Sequence, residues 1–160
     1  MKTTAYRLAA VLWVVWGLVH LFAGVITIQR EAATAVSGIA DAVDPAVLTG
    51  LSYHPAAGAL INQHGWNLAW IGLTTILCAP WVWKGAFSAI ALAALVGGLA
   101  DVGYFLFLDL GGFVHFVPGT VMTIFSGAAI ALSFGAHLSG RGKAEGGDSN
   151  ANASGAVQTP

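Results

Sequence analysis

Three observations predict an all-α integral membrane protein, built as an antiparallel four-helix transmembrane bundle with both termini cytoplasmic. The chain of 160 residues is 57% hydrophobic and only 8% charged, against about 25% charged residues in a soluble domain. Its mean hydropathy is +0.77. Four apolar runs divide it, each of roughly 20 residues or more, the length a helix needs to cross ~30 Å of hydrocarbon. A chain so poor in charge cannot coat a water-facing surface, so its outer face is expected to meet lipid. The net charge of -1 and the lack of a basic block argue against a nucleic-acid partner. The single cysteine, Cys78, excludes an internal disulfide and a cysteine-only metal site.

The first helix is expected at about residues 6–28. Lys2 and Arg7 before it look like the start of a secretory signal. Its apolar run, however, exceeds the ~7–15 residues of a signal core and contains His20, Trp13 and Trp16, so it is read as a retained helix. An outer loop over 30–54 comes next, with a short helix over Glu31 to Ala40 and a second helix start at Asp44-Pro45. The second long helix is expected at about 55–80. Pro55 suits a first helical turn and Ser52 can cap it, which places His64 inside the helix. The third is expected at about 85–108 and the fourth at about 113–137. Gly111-Gly112 punctuates the turn between them, and Pro118 lies where a proline costs little. No dyad alternation suggests a barrel.

The transmembrane domain is therefore 1–138, and the Gly/Ser/Asn-rich segment 139–160 is expected to be a disordered cytoplasmic tail. Short connections among the last three helices favour antiparallel neighbours. Lys2, Arg7, Lys84, Arg141 and Lys143 fall on one side and Arg30 alone on the other. The positive-inside rule then puts both termini in the cytoplasm of a multi-pass protein of a bacterial-type inner membrane.

The ionisable residues cluster by depth. His20 lies eight residues below Ile28, and Asp101 seven below Leu108, which is about 12 Å and about 10 Å respectively. His64 is nine residues below Pro55, about 13 Å at the helical rise. His115 opens the fourth helix just above them. A charged side chain inside a membrane costs about 2.5–3.5 kcal/mol on insertion scales, so it is rarely left facing lipid. Helical spacing puts Trp13, Trp16, His20 and Gly24 on one face of the first helix. It likewise groups Gln63, Asn67, Trp70 and Thr74 on the second, with His64 beside them, and His115, Gly119, Met122 and Ser126 on the fourth. These faces are expected to line the bundle interior.

Histidines with a carboxylate are ligand chemistry for a divalent metal ion such as iron, copper or zinc, with His20, His64, Asp101 and His115 as the donors. His20 and His64 would also suit the axial positions of a haem, but Asp101 at the same level sits badly against an apolar porphyrin. Asp101 and His115 are the candidates for proton transfer. Trp16, Asn67 and Trp70 are the candidates for seating a hydrophobic or quinone-like molecule arriving from lipid. The competing structural role for these polar groups is a buried hydrogen-bonded network that holds helices together. No nucleophile elbow, phosphate loop or carboxylate dyad is present. The expected function is thus a small membrane protein with a metal-binding or redox-type site in its outer half. The alternative is a non-catalytic accessory subunit within a larger membrane complex or homo-oligomer.

Overall fold

The computed structural model describes the backbone of residues 2–155 and the side chains of 2–139. The expected tail, 139–160, lies almost wholly outside the described side chains, and 156–160 lie outside the described residues altogether. Among the described residues every regular element is helical. α1 is Lys2–Gln29, α2 Ala32–Ile39, α3 Pro45–Thr49 and α4 Pro55–Trp83. α5, Phe87–Asp109, alternates α-helical segments with π turns at Ala94–Gly98 and Phe105–Asp109. α6, Val121–Gly155, is entered through a π turn at Phe116–Thr120.

Three stretches are long and apolar enough to cross a membrane: α1, α5 and Phe116–Ser139. α4 has 29 residues, about 43 Å at the helical rise. Asn62, Gln63, His64 and Asn67 dilute the apolar character of its first half.

Small residues take up much of the helix contacts, with Trp13, Trp16, Val82 and Ile90 the large side chains buried among them. Ala9, Ala10, Gly17 and Gly24 of α1 are buried, as are Ala93 of α5 and Ala129 of α6. Leu8, Val11, Leu18 and Phe22 of α1 are exposed, as are Leu95 and Leu99 of α5. In lipid, burial of large apolar groups gains little, and close backbone approach drives helix association instead. The α1–α4 contact shows this directly. Gly17 and Gly24 meet Gly72 and Gly65 in antiparallel register, and a Cβ at Gly17 would lie 2.6 Å from the Gly72 carbonyl oxygen. α1 also packs along α6, and α5 packs on both α4 and α6. α5 meets α4 mainly through Phe87–Gly98 and meets α6 along that stretch and along Leu99–Tyr104.

The ends are set by local chemistry. Asp44 caps α3, accepting from the Ala46 amide at 2.9 Å. His54, rather than Ser52, caps α4, its Nδ1 accepting from the Ala56 amide at 3.2 Å. Gly85 turns the chain between α4 and α5 at φ 76°, where a side chain would also strike the Tyr6 ring.

Candidate functional site

Asp101 is the centre of the candidate site. It sits on the short α-helical segment between the two π turns of α5 and is 3% exposed. Asp101 faces inward while Leu99 and Val102, about 200° and about 100° away around the helix, face out.

Two residues one helical turn apart on α1 meet its carboxyl. The fully buried Trp16 indole Nε1–H donates to Asp101 Oδ2 at 2.7 Å. His20 Nε2 lies 3.8 Å from Asp101 Oδ1. The His20 ring stacks on Trp16 with centroids 3.6 Å apart, and Trp13 packs edge-on against Trp16 at 5.7 Å. Ser126 of α6 is buried beside the same carboxyl and donates to the Thr123 carbonyl at 3.0 Å.

The tautomer of His20 is set by its second contact. Its Nδ1 is 2.8 Å from the Trp16 carbonyl oxygen. A carbonyl only accepts, so Nδ1 carries the hydrogen. Nε2 then faces Asp101 with a lone pair unless a proton sits between them. At 3.8 Å the two groups are close but not hydrogen-bonded, so each keeps an atom free for a ligand. They form a neighbouring acid–base pair with one ring nitrogen fixed by the backbone.

The couple opens onto a cavity of about 820 Å³. This is within the usual ~300–1,000 Å³ of small-molecule sites. Its walls come from four helices: His20, Ala23 and Thr27 of α1; His64, Asn67 and Leu68 of α4; Asp101, Gly103 and Tyr104 of α5; and Met122 of α6. Gly38, Ile39 and Asp41 of the loop after α1, with Arg30, also line it and form its roof. The roof is tied down. Asp41 Oδ1 accepts from the His115 amide at 2.6 Å, and the Ala42 amide donates to the Phe113 carbonyl at 3.2 Å. Below it, Thr120 Oγ1 donates to Asp109 Oδ1 at 2.6 Å.

The residues that the sequence singles out do not all meet. His20, Asp101 and Trp16 come together, while His64 and Asn67 line the same cavity. His115 is outside the lining, and its side chain is exposed. The helical register that grouped it with Gly119 and Met122 does not reach it, because His115 is extended and Val117 interrupts the helix. Trp70 is 42% exposed; it donates to Asn67 Oδ1 at 3.1 Å and lies outside the cavity lining. The expected interior stripe of α4 is thus turned outward at Gln63 and Trp70. The face of α4 toward α1 is instead Gly65, Gly72 and Thr75. Among the described residues no three His, Cys, Asp or Glu side chains are grouped to hold a metal ion. Sequence reasoning missed the glycine seam and the roof residues Gly38 and Asp41. The seven-residue spacing of Gly17 and Gly24, repeated by Gly65 and Gly72, was the signal for the seam.

Fold and site together define an all-helical protein, apolar enough to cross a membrane, with a roofed cavity and one buried acid–base couple on its wall. Comparison of the chain with family models, with curated proteins and with solved structures gave no match.

Proposed function

We propose that the chain is a four-helix membrane bundle whose outer-half cavity binds a hydrophobic, quinone-like molecule, with His20 and Asp101 as its polar anchor and proton source. The observation that carries this reading is the juxtaposition of a His–Asp pair, 3.8 Å apart, with a largely apolar cavity of about 820 Å³. A quinone ring carries carbonyl oxygens that accept hydrogen bonds, and a proton on Nε2 or on the carboxyl supplies a donor. Tyr104, Asn67 and His64 offer further polar contacts along the walls.

On this reading α4 is the fourth crossing helix, and its polar outer half serves the cavity. Five basic residues at one end of the bundle against Arg30 at the other support cytoplasmic termini and an outward-facing roof. A divalent metal ion is the alternative occupant. Asp101 and His20 would supply two donors, with Nδ1–H held by a backbone carbonyl as metal-bound histidines commonly are.

The test is equilibrium binding of a decyl-tailed benzoquinone to the purified protein in nanodiscs, with metal analysis of the same preparation. Wild type is expected to bind saturably. Asp101→Ala is expected to bind about tenfold or more weakly, since it loses a charge-assisted hydrogen bond. Equal binding by both proteins would refute the anchor, and a stoichiometric metal lost in Asp101→Ala would favour the metal occupant.

A second reading has its own observation. Asn62, Gln63 and Trp66 of α4 are exposed, and amides facing hydrocarbon are unfavourable. A subunit packed against α4 would satisfy them, as an accessory role in a larger complex requires.

A further inference from the structure

We infer that the ligand of this cavity reaches it sideways from the membrane, between α4 and α5, and that its hydrocarbon tail stays in that gap while its polar end rests on the His20–Asp101 couple. The inference rests on the binding reading above and names the ligand class more closely: a neutral polar ring or head on a long apolar tail.

The route is marked by the point where the packing of α5 on α4 thins. The two helices pack mainly through Phe87–Gly98. Beyond Gly98 the principal neighbours of α5 are α6 and, at Asp101, Trp16 of α1. The cavity fills the space so opened, with Leu68 and Ile71 of α4 on one rim and Leu99, Gly103 and Phe107 of α5 on the other. Those three α5 residues are four apart, so they form one stripe along the helix. Leu99 is 63% exposed and Phe107 74% exposed, yet both line the cavity. A stripe that belongs at once to the cavity wall and the outer surface marks an opening. The flank along Val19 and Ile26 of α1 is less open, at 37% and 44%. The outer end is closed by the loop pinned through Asp41 and Ala42. The depth of the stripe in an apolar helix makes the bilayer, not water, the medium at this opening.

Gly103 is the point at which to test it. A Cβ there meets nothing within 4 Å, so a side chain can leave the backbone toward the gap. Binding of a decyl-tailed benzoquinone and of the same ring without a tail would be measured in nanodiscs for wild type, Gly103→Phe and Leu99→Trp. A Phe in the gap crowds the tail, a steric cost expected to lower its affinity by about tenfold. The loss is expected to be about fivefold or more greater for the tailed quinone than for the tailless ring. Unfolding midpoints of both variants are read alongside, and Leu99→Trp supplies the result if Gly103→Phe fails to fold. An equal loss for both quinones, or no loss for either, would overturn the route while leaving the cavity reading standing. Wild-type protein that binds neither quinone would overturn both.

Discussion

Trp16 donates to a carboxyl that is 3% exposed and whose other oxygen faces an imidazole. Removing the indole leaves a buried acceptor short of its donor, which costs about 1–3 kcal/mol. Trp16→Phe is therefore expected to lower stability by about that amount in a denaturant titration. Asp101→Asn keeps an oxygen for Trp16 and is expected to stay within about 1 kcal/mol of wild type. An Asn variant as unstable as the Phe variant would mean that the carboxyl's approach to His20, not the indole hydrogen bond, holds α5 to α1. His20 contributes differently. Its ring is fixed by stacking on Trp16 and by the Trp16 carbonyl, so both of its contacts come from one residue a turn below. Trp16 thus aims the imidazole as well as holding the carboxyl, and quinone binding should weaken in Trp16→Phe even where the protein remains folded.

At the scale of the elements, the glycines of α1 and α4 decide how close the two helices come. Gly17 abuts the Gly72 carbonyl and Gly24 the Gly65 carbonyl, so a side chain at either can be admitted only by moving backbone. Gly17→Val is expected to destabilise by about 2–3 kcal/mol, the range of overpacking in a filled contact. Gly127 of α6 has open space where its Cβ would be. Gly127→Ala is expected to change stability by less than about 1 kcal/mol, the helix-propensity difference alone. Comparable losses in the two variants, measured by thermal unfolding in one detergent, would show that the seam is not what joins α1 to α4. Asp101 is inward on α5 while Leu99 and Val102 are outward, so one carboxyl is carried on the buried face of an otherwise apolar helix.

For the whole molecule, the arrangement of charges and the roofed cavity make one assertion about sidedness. Ser37 lies on α2 in the roof, and Ser139 lies beyond the last buried turn of α6. With Cys78 replaced by Ser, a membrane-impermeant thiol reagent added to spheroplasts is expected to label Ser37→Cys and to spare Ser139→Cys until the membrane is broken. The reverse pattern would invert the protein and place the cavity at the cytoplasmic side. The exposed amides of α4 make a second assertion at this scale. If Asn62 and Gln63 meet a partner, protein extracted from native membranes should migrate as a stoichiometric complex. A monomer that binds quinone by itself would instead leave those residues at the membrane interface.

The membrane character, the long helices and the depth at which polar residues cluster were legible in the sequence, because each depends on composition and on the 1.5 Å rise of a helix. His20, His64 and Asp101 were legible as polar residues at one depth, but which histidine lies beside Asp101 was not. Which residues share an interior was not, because rotation about a helix axis is settled by packing. His115 was grouped with Gly119 by a helical register that Val117 interrupts, and Trp70 was drawn inward although glycines elsewhere on α4 occupy the face toward α1. Composition and length determined that this chain is helical and suited to lipid. Tertiary structure alone decided that the packing of α5 on α4 thins beyond Gly98, because helix separation depends on which small residues meet across the contact, and that gap is where the cavity opens.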